Sequence, residues 1–508
     1  MHTELYKSEG SFINEHKFLL LFTIIYLILS FLLFDPKLFT GGDNAVYIIL
    51  AESITGGKGY KNLHLPDEPP HTQYPFGFPL LLSLPMLLFG PNIIILKLIV
   101  LLTSIGALFF MYKLCESFFK ERVDLIMAFY VSIPTLITFN HWILSEMPFL
   151  CFSLGALYFF MKAKPGKEYL YFISFFFATY AFLIRTAGIS LIIAMMLFLI
   201  LKKQYKYFAI FLFIFLVVFL PWQIRNVSIA PEGGYLEQLL MKKPYLIESG
   251  RVGPRDLAIR GWNNFVFYTF LLLPLTLLTS IRSPWILGAI GVIFVVLTII
   301  GFIERRRRIS IVEYYFLFGI LLLLVWPDIW ATERFLLPIL PIFMIYIYIG
   351  LFQLGRKIKF KYSVHLITGI FVLLNLLSIF SQARNTVVNN HAYLKGDAYA
   401  GYRRDWRNYF DVIEWIKENV PEEKIVMARK PEFVYLLSRH KSLTCPFSID
   451  QNKVKDAFMQ SDYIILDNFI WTEASKNYLA PVIQKEFGNI EFVYITQKPR
   501  FYVVKVKK

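Results

Sequence analysis

Apolar residues run in long blocks through the first 380 residues, without the polar stripe that a surface helix of a soluble protein carries. The blocks are Phe18 to Phe34, Ile93 to Leu114, Leu125 to Phe139, Met147 to Met161, Tyr169 to Ile184, Ala187 to Leu201, Tyr207 to Pro221, Pro284 to Ile303, Val312 to Trp326, Phe335 to Phe352 and Val364 to Phe380. Most approach the roughly 17 to 25 residues that cross a hydrocarbon layer of about 30 Å, which predicts a polytopic α-helical membrane protein of about 11 transmembrane helices. Two further apolar stretches are not counted. Phe265 to Thr279 and the short Phe78 to Phe89, broken by Pro85, are expected to be re-entrant or interfacial helices.

The pattern changes after about Ser381, where charged residues return and the elements become short. Helices are predicted over Asp405 to Asn419, Glu432 to Ser438 and Ala474 to Phe487. Strands are predicted over Lys424 to Ala428, Asp462 to Asp467, Ile490 to Thr496 and Phe501 to Val506. The chain therefore divides into a membrane domain, 1–380, with outer loops 35–92 and 222–283, and a small α/β domain, 381–508.

Composition agrees with the hydropathy pattern. Of 508 residues 56% are hydrophobic and only 17% charged, too apolar for a soluble protein of this size. The net charge of +16 does not point to nucleic acid, because the basic residues fall in short clusters between the apolar blocks. These clusters (Lys113 to Arg122, Lys162 to Lys167, Lys202 to Lys206, Arg305 to Arg308, Arg356 to Lys361) read as topology markers. Placing them all in the cytoplasm puts the N-terminus inside and the C-terminal domain outside, with the first span retained as a signal anchor. In this topology Cys115 and Cys445 lie on opposite sides and Cys151 is inside a span, so no disulfide is expected. Neither a glycine-rich nucleotide loop nor a zinc-ligand spacing is present.

Two carboxylates fall at the outer membrane edge, where an ionisable group is functional by default. Asp43 follows the first span and lies four residues before Tyr47, on the same face if the segment is helical. Glu146, within Ser145-Glu146-Met147-Pro148, opens the fourth span. Together they can serve as a general base and its orienting or cation-holding partner, which makes Asp43 and Glu146 the candidate ligands of a divalent cation. Equally, Asp43 and Ser145 can simply cap helix N-termini. His64, His71 and His141 share the outer side, and packing or hydrogen bonding suits them better than metal ligation by His141 with Glu146.

Arginines gather on the same side against the usual charge bias: Arg185, Arg225, the group Arg251, Arg255 and Arg260, and Arg334. Guanidinium forks bind phosphate oxygens in pairs and can neutralise a phosphate leaving group. The bland alternatives are snorkelling for Arg185 and an ordinary solvated loop for the Arg251 group.

Five segments in order carry a resemblance: Gly41-Gly42-Asp43-Asn44-Ala45-Val46-Tyr47, Tyr74-Pro75-Phe76-Gly77-Phe78-Pro79, Leu144-Ser145-Glu146-Met147-Pro148, Pro221-Trp222-Gln223-Ile224-Arg225-Asn226, and Glu333-Arg334-Phe335-Leu336-Leu337-Pro338. They resemble the GT-C glycosyltransferases, in particular the family of protein O-mannosyltransferases and lipid A aminoarabinose transferases. The resemblance implies a sugar donor linked to a polyprenyl phosphate, an extracytoplasmic acceptor (lipid, protein or glycan), and inversion at the anomeric carbon. Asp43 matches the family's catalytic acid and Glu146 its second-loop acid. Tyr47, Tyr74, Arg185, Arg225, Arg255, Arg260 and Arg334 become candidate substrate contacts. One departure stands out: the family often has Asp-Glu where this chain has Asp43-Asn44, and an amide cannot share metal charge as a carboxylate does. The rival class is a lipid-linked sugar flippase, whose charged residues should sit near the bilayer midplane rather than at one edge.

Overall fold

The computed structural model describes residues 2–119, 121–230, 235–244, 246–359 and 362–507, so Lys120 and Lys361 of the basic clusters lie outside the described residues. The chain forms two compact units, one of residues 1–35, 97–225 and 254–387, the other of 36–96, 226–253 and 388–508.

The first unit is helical. Among the described residues four helices are long and apolar enough to cross a membrane: Ile93–Phe118, Tyr205–Ile229, Pro284–Arg305 and Ser363–Leu394. Shorter apolar helices include Lys17–Leu32, Val123–Ser132, Tyr169–Ile184, Thr186–Leu201 and Ile311–Val325. The protein is an integral membrane protein; among the described residues the helices do not confirm the count of 11 spans, and several of the expected blocks are shorter or broken. The difference has local causes. Pro134 interrupts the expected block Leu125 to Phe139, giving Val123–Ser132 and Pro134–Phe139, since proline has no N–H for the preceding helix. Likewise Glu333–Leu336 is separated from Leu340–Ile358 near Pro338. The apolar stretch Phe265 to Thr279 belongs to helix Pro254–Phe267, continued through a π-helical turn at Tyr268–Leu272 into Leu273–Leu277.

Packing within this unit uses small residues to bring backbones together. Helices Pro284–Arg305 and Leu340–Ile358 meet where Gly350 lies against the Leu297 carbonyl and Gly301 against that of Tyr346, so that a Cβ at either position would overlap the opposing oxygen. Close approach through small residues is how membrane helices gain packing energy in place of a hydrophobic drive.

The second unit is built on a five-stranded sheet: β1 (Val426–Ala428), β2 (Ser442–Thr444), β3 (Tyr463–Leu466), β4 (Ile490–Ile495) and β5 (Tyr502–Val506), in the order β2-β1-β3-β5-β4. β1 pairs in parallel with β2 and β3, whereas β5 runs antiparallel to β3 and β4. β1 is buried throughout, as a central parallel strand covered on both faces should be. Strand β2 and helix Gln451–Gln460 extend the elements expected from the sequence.

The first outer loop shares the core of this unit. Helix Asn44–Thr55 is apolar around most of its circumference, with Ala45, Tyr47, Ile48, Ile49, Leu50 and Ala51 all buried. It lies parallel to helix Pro431–Ser438: Ala45 joins the buried cluster of Phe433, Val434, Trp406 and Tyr409, Ile49 packs with Tyr435 and Leu436, and Glu52 pairs with Arg439 at 2.7 Å. Polar ties reinforce the contact. Lys441 donates to the Leu63 carbonyl (2.6 Å) and to Glu68 (2.6 Å), and the Ser442 amide donates to the His64 carbonyl (2.7 Å).

Candidate functional site

Asp43 stands at the N-terminal boundary of helix Asn44–Thr55, where its own carbonyl accepts the Tyr47 amide at 3.0 Å. Its side chain makes no cap hydrogen bond to that helix. The Tyr74 hydroxyl instead donates to Asp43 Oδ1 at 3.0 Å. Capping therefore does not account for the acid, whose carboxylate is turned toward an aromatic group of the same unit. Tyr47, one turn along, supports Tyr74 with ring centroids 5.3 Å apart and meets Phe78 edge-on at 4.9 Å.

Tyr74 is fixed from its other side by His71. The rings stack at 5.1 Å, and the Tyr74 amide donates to His71 Nε2 at 2.8 Å. Because Nε2 accepts, the ring proton sits on Nδ1, which donates to Asn62 Oδ1 at 2.8 Å. His71 is thus a neutral, fully engaged framing residue. Asn44, the departure noted in the sequence, is fully buried and donates to the carbonyls of Phe39 and Gly41, both at 2.7 Å. Those two bonds hold the turn that presents Asp43, and only a side chain with N–H donors can make them.

Glu146 belongs to the first unit and has a different environment. It opens helix Glu146–Lys162, is 1% exposed, and its Oε1 receives Arg334 Nε at 2.5 Å and Arg185 Nη1 at 2.6 Å. Arg185 also reaches Ser145 Oγ at 3.3 Å and lies 5.3 Å over the Phe335 ring. Ser145, like Asp43, makes no side-chain cap bond. Oε2 of Glu146 is buried and has no hydrogen-bond partner among the described residues. One negative and two positive groups leave a net positive, largely dried cluster. A narrow cleft beside it is walled by Phe149, Tyr315, Leu323, Trp326 and Phe335, with Arg185 as the charged group of its lining. Leu323 also lines a neighbouring apolar cavity of about 350 Å³ with Phe265, Tyr268 and Phe343.

The remaining arginines stand apart from this cluster. Arg260 is buried and donates to the Val325 carbonyl at 3.4 Å. Arg225 lies 5.2 Å over the Trp222 ring, Arg255 is exposed, and Arg251, in the second unit, pairs loosely with Glu237 at 3.6 Å. Sequence spacing grouped Arg251, Arg255 and Arg260, whereas the structure brings together Arg185 and Arg334 at Glu146, although they are far apart in the chain. His141 packs against the Phe34 ring at 6.0 Å. No set of three or more His, Cys, Asp or Glu side chains is placed to hold a metal ion among the described residues, and the three cysteines are free thiols. His71, Asn62 and Phe335 were not singled out for these roles in the sequence. The signal for Phe335 was its place directly after Arg334.

Comparison with known proteins gives the fold a context. Residues 73–224 match the family model described as dolichyl-phosphate-mannose-protein mannosyltransferase. No curated protein sequence matches the chain. Among solved structures, ArnT from Cupriavidus metallidurans in the apo state is similar over 97% of this chain and 98% of its own, with 12% identity and a TM-score of 0.58. The same protein bound to undecaprenyl phosphate gives 96%, 98%, 11% and 0.59. The Archaeoglobus fulgidus oligosaccharyltransferase, tethered with an acceptor peptide, covers 98% of this chain and 75% of its own, with 13% identity and a TM-score of 0.59. The chain shares the fold of these GT-C glycosyltransferases and, over residues 73–224, resembles the mannosyltransferase family.

Proposed function

We propose that the protein is an inverting glycosyltransferase that moves a sugar from a polyprenyl-phosphate-linked donor to an acceptor on the extracytoplasmic side, with Asp43 as the base. The N-terminus would be cytoplasmic, and the C-terminal sheet and first loop would face outward. The observation that carries the reading is the Asp43 carboxylate, which is spared from helix capping and oriented by a neutral phenol. A carboxylate whose partner is a neutral phenol can still accept a proton, whereas one clamped by arginines is a poor proton acceptor.

In the reaction, an acceptor hydroxyl gives its proton to Asp43 as its oxygen bonds to the anomeric carbon. The bond from that carbon to the phosphate oxygen breaks, and the electron pair leaves with the polyprenyl phosphate. The developing phosphate charge calls for fixed cationic donors in a dry setting. Arg185 and Arg334 meet that need, since Glu146 satisfies one donor of each and sets the orientation of the rest. The narrow cleft with Arg185 in its wall adjoins, through Leu323, an apolar cavity of about 350 Å³ whose lining is of the character a hydrocarbon tail requires. The ArnT structure with undecaprenyl phosphate supports a ligand of this class.

The sequence made Asp43 and Glu146 candidate cation ligands, and the two acids belong to separate units. The two arginines already on Glu146 weigh against that acid as a ligand. The test is mass spectrometry of polyprenyl-linked and outer-surface glycans in cells with and without the protein. The reading predicts that one outer glycan loses a sugar while its polyprenyl-linked donor accumulates. Unchanged glycans, with lipid-linked sugar accumulating on one side of the membrane, would favour a flippase instead.

A further inference from the structure

Three of the basic clusters that read as topology markers converge in the helical unit. Helices Ile93–Phe118, Pro284–Arg305 and Leu340–Ile358 end, and helix Ser363–Leu394 begins, around one open cavity of about 1110 Å³. Its cations are Arg122, the run Arg305 to Arg308, Arg356 and Lys359, against the two acids Glu121 and Glu304. Keeping charges on one side of a membrane requires only that they lie between spans. It does not require runs far apart in the chain to line a single space.

The cavity is amphipathic. Phe118, Phe119 and Phe352 form an apolar wall, with the Phe119 and Phe352 rings 5.7 Å apart. Arg305 is committed within the fold, since its guanidinium lies 4.2 Å over the Phe118 ring and pairs with Glu313 at 3.1 Å. Arg306, Arg307, Arg308, Arg356 and Lys359 are exposed. Ser363 opens its helix, where the end of the dipole is positive, and its Oγ is buried with no hydrogen-bond partner among the described residues. From Ile303, at the cavity edge, a lane of exposed apolar side chains continues along helix Pro284–Arg305 through Ile299, Val296 and Val292. Their spacing places them on one helix face.

We propose that this cavity binds the phosphate headgroup of an anionic phospholipid from the surrounding membrane, with an acyl chain laid along the lane from Ile303 to Val292. Guanidinium forks hold phosphate oxygens in pairs. An anion among the arginines also relieves their mutual repulsion, and the excess of cations over acids favours a headgroup of net negative charge. Basic pockets between membrane helices hold such headgroups. A soluble phosphate would use the cations and leave the apolar lane uncovered, so the combination selects a lipid. The cavity shares no lining residue with the cleft beside Glu146, and the inference stands whether or not the protein transfers sugar.

The test is native mass spectrometry of the full-length protein in neutral detergent, titrated with phosphatidylglycerol and, separately, with zwitterionic phosphatidylcholine. Phosphatidylglycerol should bind, and phosphatidylcholine should bind far more weakly. Arg306→Gln combined with Arg307→Gln should weaken phosphatidylglycerol binding about 25-fold, about fivefold for each cation beside an anionic headgroup. Lys164→Gln combined with Lys167→Gln removes the same charge from a cluster that does not line the cavity, and should leave the affinity unchanged. Should the arginine variant fail to fold, Arg356→Gln alone tests the same lining, with an expected loss of about fivefold. Equal binding of the two lipids, unchanged affinity in the arginine variants, or an equal loss in the lysine variant would overturn the proposal. Inorganic phosphate at matched ionic strength should not displace the lipid; displacement would assign the cavity to a free phosphate and overturn the lipid as its occupant.

Discussion

Asp43 and Glu146 look alike in the sequence, each an acid at the start of an apolar helix beside a small or amide residue, yet they stand in opposite environments. Asp43 has a neutral partner, the Tyr74 hydroxyl. Glu146 has two guanidinium groups on one oxygen. The difference lies in what each can do with a proton. An acid facing a neutral phenol can take up a proton, while one between two arginines serves to aim them. On the proposed reading, one region handles proton transfer and the other phosphate recognition.

The sharpest break in that comparison comes from removing the proposed base. Asp43→Asn should lower transfer by about 10²–10⁴-fold, the span attributed to general base catalysis, with thermal unfolding unchanged because no cap bond is lost. In the arginine region the expected damage is to stability. Arg334→Ala leaves Glu146 buried with one partner fewer, and uncompensated buried charge costs about 3–5 kcal/mol, so the melting temperature should fall in a scan of the purified protein. Arg334→Lys should recover charge without the planar fork and restore only part of it.

Acidity should discriminate the two regions as well. Burial, together with the Lys441 charge, lowers the pKa of His64 from 6.5 to about 4. The folded second unit therefore holds this ring neutral where the unfolded chain would protonate it. Its contribution is complete above pH 6.5 and is lost progressively as the pH falls toward 4. Hydrogen exchange in the unit that carries Asp43 should rise over that window, and His64→Gln should flatten the rise. Smallest of all, Tyr74→Phe removes one hydrogen bond, worth about 0.5–1.5 kcal/mol. That predicts roughly a tenfold or smaller loss in rate, with donor affinity measured by isothermal titration left in place.

Much of this was legible in the chain because membrane burial and short-range patterning leave direct traces. Apolar blocks located the helical unit, and alternation after Ser381 located β1, β3, β4 and β5 within a few residues. The breaks at Pro134 and Pro338 were readable in principle, since proline interrupts a helix wherever it falls inside an apolar block. Contacts between distant segments were not. Glu146 meets Arg334 across 188 positions and Lys441 meets Glu68 across 373, and no periodicity or spacing records such pairings. For the same reason the loop arginines looked like a group in sequence. Asn44 is the instructive case. As a substitution for an acid it read as a loss, and in the fold its two donated bonds explain why an amide is needed there.

The most direct test of the division of labour is a paired measurement on Asp43→Asn in membranes: sugar transfer to the outer acceptor, and binding of undecaprenyl phosphate. The account predicts that transfer is lost while binding matches that of the unmodified protein. Transfer retained at the unmodified rate would contradict it.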